Sequence, residues 1–284
     1  MAEFILVANN TCDLPEETLK EFDITMLPLG FTIGDESFKT MPVEEFYKRI
    51  REGAMPTTNA ANLGEFIELF EPALEAGKDI LFISFDSALS LTYNAALMAQ
   101  GELAERYPDR KIYVVDSLSA SLGEGLLVKG AGQLRKEGKS IDEVRDWLEE
   151  TKGKVAQWVA VDDLQHLKRG GRVSSAQALL GGMLGVKPIL KINETGHLVP
   201  AEKVRGRQAS LAKLLEQIEN SAVDIASQTV YIAHSDCYDE AKALGDQIKE
   251  KFGVKSVEIS YITPVIGSHT GIGVIALFFL AKSR

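Results

Sequence analysis

The chain has 284 residues, 45% hydrophobic and 25% charged, so it can bury one large core or two smaller ones and is neither disordered nor membrane-like in composition. Its 31 Lys and Arg against 41 Asp and Glu leave a formal charge of −10, a field that repels nucleic acid and anionic lipid surfaces. Cys12 and Cys237 stand far apart, without the paired spacing of a zinc or thioredoxin-like site, which fits a reduced cytosol.

Short apolar, β-rich runs at Phe4–Ala8, Ile24–Leu27, Ile80–Ser84, Ile112–Val115 and Trp158–Val161 predict buried strands. Between them, Glu65–Ala76, Thr92–Arg106, Ser121–Lys136 and Ile141–Lys152 repeat apolar residues every three or four positions and predict helices, the last capped by Ser140. Strand and helix in alternation imply an α/β fold with a Rossmann-like, largely parallel sheet and helices on both faces. The second half changes character. Val186–Ile192, the turn Asn193-Glu194-Thr195-Gly196 and His197–Pro200 read as a hairpin, so a mixed or antiparallel sheet flanked by helices is expected there. Helices over Gln208–Asn220 and Asp239–Phe252 and strands Val230–His234, Val257–Ile262 and Val274–Leu280 complete it.

A boundary at Lys152-Gly153-Lys154 divides an N-terminal α/β domain, 1–153, from a C-terminal α/β domain, 154–284, and no linker separates them. The opening residues lack a basic region, and the apolar run Phe4–Ala8 is too short for a signal peptide. The late run Gly273–Ala281 is about half a membrane span. A cytoplasmic protein without membrane insertion is expected.

Polar residues gather where predicted strands end, the usual ligand site of open α/β sheets. Asn9-Asn10-Thr11-Cys12-Asp13 follows the first strand and reads equally as a turn. Thr57-Thr58-Asn59-Ala60-Ala61-Asn62 precedes a helix, where unpaired N–H groups favour an anion and capping explains one residue. Asp86–Tyr93 places Ser90 before another helix. The segment Thr263–Gly273 reads as a loop whose turns frame His269, either a satisfied loop histidine or a donor to an acid. Arg169-Gly170-Gly171-Arg172 and Arg205-Gly206-Arg207 set guanidinium groups beside glycine, suited to phosphate, to an acidic partner or to plain solvation. Lys139-Ser140 after Gly138 lacks the spacing of a phosphate loop.

In order, these clusters resemble the DegV family, which includes the fatty-acid-binding subunit of bacterial fatty acid kinase. The resemblance rests on Asn10-Thr11-Cys12-Asp13-Leu14-Pro15, Val115-Asp116-Ser117, Leu167–Arg172, Lys203–Arg207 and Pro264–Gly271, and spans nearly the whole chain. It implies a fatty acid in a tunnel between the domains, with its carboxylate held by Thr58, Ser90 and His269. It also implies that Arg172 and Arg205 serve the pocket mouth or the contact with a separate kinase, which phosphorylates the bound carboxylate. The chain would then be a carrier rather than an enzyme, with no cofactor or metal beyond the bound fatty acid. The family's Leu-Ser-Gly-Thr-Tyr stands here as Leu89-Ser90-Leu91-Thr92-Tyr93, which adds a side chain beside Ser90.

The physical chemistry agrees with an acyl ligand. A chain of about sixteen carbons carries roughly fourteen methylenes, worth on the order of 11 kcal/mol at about 0.8 kcal/mol each. Its carboxylate needs hydrogen-bond donors to leave water. Two alternatives stand beside the carrier: an acyl hydrolase using Ser90 and His269, for which no orienting acid can be assigned, and a carrier of another small organic acid.

Overall fold

The computed structural model describes residues 3–162, 164–173 and 185–284. The first half runs β1 (Phe4–Asn9), α1 (Glu16–Glu21), β2 (Ile24–Leu27), β3 (Phe31–Ile33), β4 (Glu36–Phe38), α2 (Val43–Arg51) and β5 (Thr57–Thr58). It continues with α3 (Leu63–Glu75), β6 (Asp79–Ser84), α4 (Thr92–Arg106), β7 (Ile112–Asp116), α5 (Leu122–Lys136) and α6 (Ile141–Thr151). The second half comprises β8 (Val155–Ala160), α7 (Gln165–Gly170), β9 (Val186–Ile192), β10 (Leu198–Arg205) and α8 (Arg207–Ser221). After these come β11 (Thr229–His234), α9 (Tyr238–Phe252), β12 (Ser256–Tyr261), α10 (Pro264–Thr270) and β13 (Ile275–Leu280).

One sheet is four-stranded and parallel throughout, in the order β2-β1-β6-β7. Alternation along its strands splits the core. Phe4, Leu6, Ala8, Leu81 and Ile83 pack with α5 and α6, whereas Val7, Ile80 and Phe82 pack with α2, α3 and α4. The second sheet is six-stranded and mixed, β10-β9-β8-β13-β11-β12, with only β11 and β12 parallel. Its outer face, with Ile232, Leu277 and Phe279, is covered by α8 and α9, and its inner face, with Ala276 and Phe278, shares a core with α5. Helix α5 therefore lies between the sheets. Side chains at Gly123 and Gly125 would collide with Gln157 and with the carbonyl of Cys12, so glycine permits the helix to approach both sides.

The expected fold class stands; the helices α1, α2 and α7 were not anticipated, and three further differences of detail have a local cause. Pro264–Thr270 is a short helix, not a loop: Pro264 occupies its first turn, where the missing N–H costs nothing, and Gly271 ends it at φ +70°. Strand β10 runs to Arg205, beyond the expected Pro200, past a bulge between Pro200 and Glu202. The small sheet β4-β3-β5 was not expected, because strands of two or three residues carry no readable period. The predicted hairpin turn is held by Asn193, whose Oδ1 accepts the N–H groups of Thr195 and His197 at 3.0 and 2.9 Å.

Asp13 joins the two sheets at their junction. It is 2% exposed, its Oδ1 accepts the N–H and hydroxyl of Thr263 at 3.0 and 2.6 Å, and its Oδ2 accepts the hydroxyl of Ser121. Burial pushes its pKa up to about 7, against the opposing pull of Ser121 and Thr263.

Candidate ligand-binding site

The parallel strands β1, β6 and β7 end at one edge, where the chain must turn and side chains meet beyond the sheet. Beneath that edge, against the inner face of the second sheet, lies a cavity of about 450 Å³, within the 300–1,000 Å³ range of small-molecule sites. Val274, Ala276 and Phe278 line it along β13, and Gln157 and Val159 along the neighbouring β8. Side chains at every second position of a strand share a face, so a single row of each strand forms the wall. Leu29, Phe85, Leu89, Ile192, Leu198, Ile262 and Ile266 add apolar side chains from both halves of the chain. The amide of Gln157 is turned to the Leu118–Ala120 loop, accepting from Ala120 N at 3.2 Å and donating to Leu118 O at 3.2 Å and Ser119 Oγ at 3.0 Å.

Polar groups converge at one part of the wall. Thr58, held in β5 by its pairing with Phe31, has its Oγ1 2.8 Å from Nε2 of His269, which α10 carries across. Burial, together with the positive charges of Arg172 and Arg169, pushes the His269 pKa down to about 4, so the ring is neutral at pH 7. Its Nδ1 is buried without a partner among the described residues. The tautomer that leaves no buried N–H unpaired puts the proton on Nε2, directed at Thr58 Oγ1. The hydroxyl proton of Thr58 is then available to a ligand. Ser90 lines the same cavity; its Oγ accepts Thr92 N at 3.2 Å and lies 2.9 Å from Thr92 Oγ1.

Among the described residues that line the cavity, Arg172 is the one charged residue, in a chain whose net charge is −10. It donates from Nε to Leu89 O at 3.3 Å and from Nη1 to Gly170 O, and the residue is exposed at the rim. Leu91 also stands at the rim, 71% exposed, and its φ of −78° suits any residue; the side chain that replaces glycine there stands largely in solvent.

Thr58, Ser90, His269 and Arg172 thus line one cavity, and Arg205 does not: it lies exposed at the end of β10. The Asn9–Asn10 cluster stitches strand ends together instead. Asn10 exchanges two hydrogen bonds with the backbone of Leu29, at 2.9 and 3.1 Å, and Asn9 accepts from Phe85 N at 3.3 Å. Asn62 caps α3 in a reciprocal bond with Glu65. Thr92 escaped sequence reasoning, although its place two residues after Ser90 was a signal.

The family model described as "Uncharacterised protein, DegV family" matches residues 3–282. The chain belongs to the DegV family. It is 44% identical to a DegV domain-containing protein of Clostridium perfringens, covering 100% of this chain and 99% of that one. A DegV family protein from Thermus thermophilus, described by its fatty acid binding, superposes with a TM-score of 0.89 at 29% identity, covering 98% of this chain and 99% of the other. DegV of Bacillus subtilis, described as a fatty acid binding protein, gives 0.87 at 28% identity over 99% and 100%.

One DegV glycine makes the head of the cavity testable. A methyl group on Gly170 would run into Nδ1 of His269, displacing the ring from Thr58. Gly170→Ala should lower the affinity for a carboxylate ligand about tenfold, the worth of one hydrogen bond to a charged group, while the thermal midpoint of the ligand-free protein scarcely moves. Isothermal titration beside a melting curve reads both; an unchanged affinity would mean that the Thr58–His269 pair does not serve the ligand.

Proposed function

We propose that this chain binds a long-chain fatty acid in the cavity between the two sheets. The carboxylate is held by Thr58 and Ser90, with His269 supporting Thr58, and Arg172 stands at the mouth. The observation that carries this reading is the pairing of an apolar wall with a polar end that offers donors and, among the described residues, a single positive charge. An ionised carboxylate on an alkyl chain meets both demands, since burial of each methylene contributes about 0.8 kcal/mol and the donors offset the loss of water. The fatty acid binding described for the Thermus thermophilus and Bacillus subtilis proteins supports it.

In this reading residues 1–153 and 154–284 are the two domains that enclose the ligand. The chain is a cytoplasmic carrier that presents the carboxylate to a separate kinase for conversion to an acyl phosphate, with Arg205 on the face offered to that kinase. No helix among the described residues is long and apolar enough to cross a membrane. Hydrolysis by Ser90 and His269 is less well supported. The ring nitrogen facing outward from Gly170 bonds Thr58 instead of Ser90, and no carboxylate meets Nδ1 among the described residues.

Native mass spectrometry of protein purified from cells should show a retained mass equal to a fatty acid. The same acid should bind again after delipidation, and adding the kinase and ATP should yield a hydroxylamine-trapped acyl product only when both proteins are present. A delipidated protein that takes up no long-chain acid would overturn the reading. Hydrolysis of an activated acyl ester to acid and alcohol without the kinase, lost in Ser90→Ala, would favour the hydrolase.

A further inference from the structure

Thr92 opens α4 and is fully buried, yet its hydroxyl touches both segments that supply the polar end of the cavity. Its Oγ1 accepts Ala61 N at 3.3 Å, three residues after Thr58, and lies 2.9 Å from Ser90 Oγ. The bond between the two hydroxyls has two possible directions. If Ser90 donated, Thr92 Oγ1 would accept twice, from Ser90 and from Ala61, and its own proton would have no acceptor among the described residues in a place closed to solvent. If Thr92 donates, Ser90 Oγ accepts twice, from the hydroxyl and from the N–H of Thr92 at 3.2 Å. The proton left over is then that of Ser90, a half-buried side chain on the cavity wall. Buried donors do not stay unpaired when an alternative exists.

We propose that Thr92 is a positioning residue: it fixes Ser90 as a donor facing the cavity and, through Ala61, ties that donor to the segment bearing Thr58. Resting on the carboxylate reading above, the arrangement gives the head of the site two oriented hydroxyl donors, Ser90 set by Thr92 and Thr58 set by His269. Such a site selects a carboxylate over an alcohol of the same chain length, because an alcohol brings a proton where the site already supplies them.

The test compares hexadecanoic acid and hexadecanol as ligands of the wild-type chain, Thr92→Val and Thr92→Ser, by displacement of a fluorescent probe. Thr92→Val should weaken the acid about tenfold and leave the alcohol unchanged, and Thr92→Ser should restore most of the loss. Equal weakening of acid and alcohol would show a merely structural role and overturn the proposal, as would an unaltered affinity for the acid. Wild-type protein that binds neither ligand would instead overturn the carboxylate reading. The direction of the bond is also read without any variant: a neutron structure of the wild-type chain should place deuterium on Thr92 Oγ1 toward Ser90. Deuterium on Ser90 Oγ pointing at Thr92 would refute the assignment.

Discussion

Ala276→Phe should abolish tight binding of long-chain fatty acids while sparing acids of short chain. Ala276 is 3% exposed and sits midway along the row Val274, Ala276, Phe278 that forms the cavity wall. At about 3.3 Å per residue that row spans roughly 13 Å, so a ring at its centre halves the length open to an acyl tail. Excluding about six methylenes forfeits about 5 kcal/mol, or between three and four orders of magnitude in affinity. The new ring enters space that is already there, a cavity of about 450 Å³, so the fold should survive. Titration with a series of acids from about eight to eighteen carbons should show the gain per added methylene stopping early in the variant. An unaltered series would place the tail somewhere else.

The second large effect concerns the junction at Asp13. Its carboxyl has an ordinary value near 3.8 and is raised by burial to about 7, so between those limits the folded chain holds a proton that the unfolded chain has lost. Its stabilising contribution is therefore complete below pH 4 and lost as pH rises through about 7, a change on the order of 4 kcal/mol. Asp86, also raised by burial to about 7, and Glu124, raised by burial, slope the same way; His234 and His269, both lowered to about 4, slope oppositely. Comparison of Asp13→Asn with the wild type cancels what they share. Asparagine keeps one acceptor for Thr263 and cannot ionise, so the variant should be the less stable by about 1 kcal/mol at pH 5 and the more stable at pH 8. Asp13→Ala, which strands the donors of Thr263 and Ser121, should lose about 3 kcal/mol at pH 5. Urea unfolding at the two pH values measures both, and a difference between wild type and Asp13→Asn that does not change with pH would contradict the raised pKa.

Much of the fold was legible because local signals agree with it. Ile80–Ser84 and Ile112–Val115 are apolar at successive positions, as strands covered on both faces must be, and each is a strand of the parallel sheet. Ser140 and Glu143 form the reciprocal cap that opens α6 where Ser140 was expected to. Pro264–Thr270 was misread as a loop because a helix of two turns bounded by proline and glycine shows breakers and no period. The site was only half legible. Residue order could nominate Thr58, Ser90 and His269 through the resemblance, yet by local reading alone a satisfied loop histidine was the better explanation of His269.

By itself, the sequence determined the alternation of strands and helices, the acidic charge and the clusters at strand ends, because each depends on residues close in the chain. Tertiary structure alone decided that Thr58 and His269, separated by 211 positions, share a hydrogen bond, and that Thr92 Oγ1 meets both Ser90 Oγ and the N–H of Ala61. It also decided that the inner faces of β8 and β13 wall a cavity with Arg172 as the charged member among the described lining residues, while Arg205 lies elsewhere. Those outcomes depend on how two sheets pack across α5. Hydrophobic periodicity specifies which face of a strand is buried, but it does not specify what that face meets.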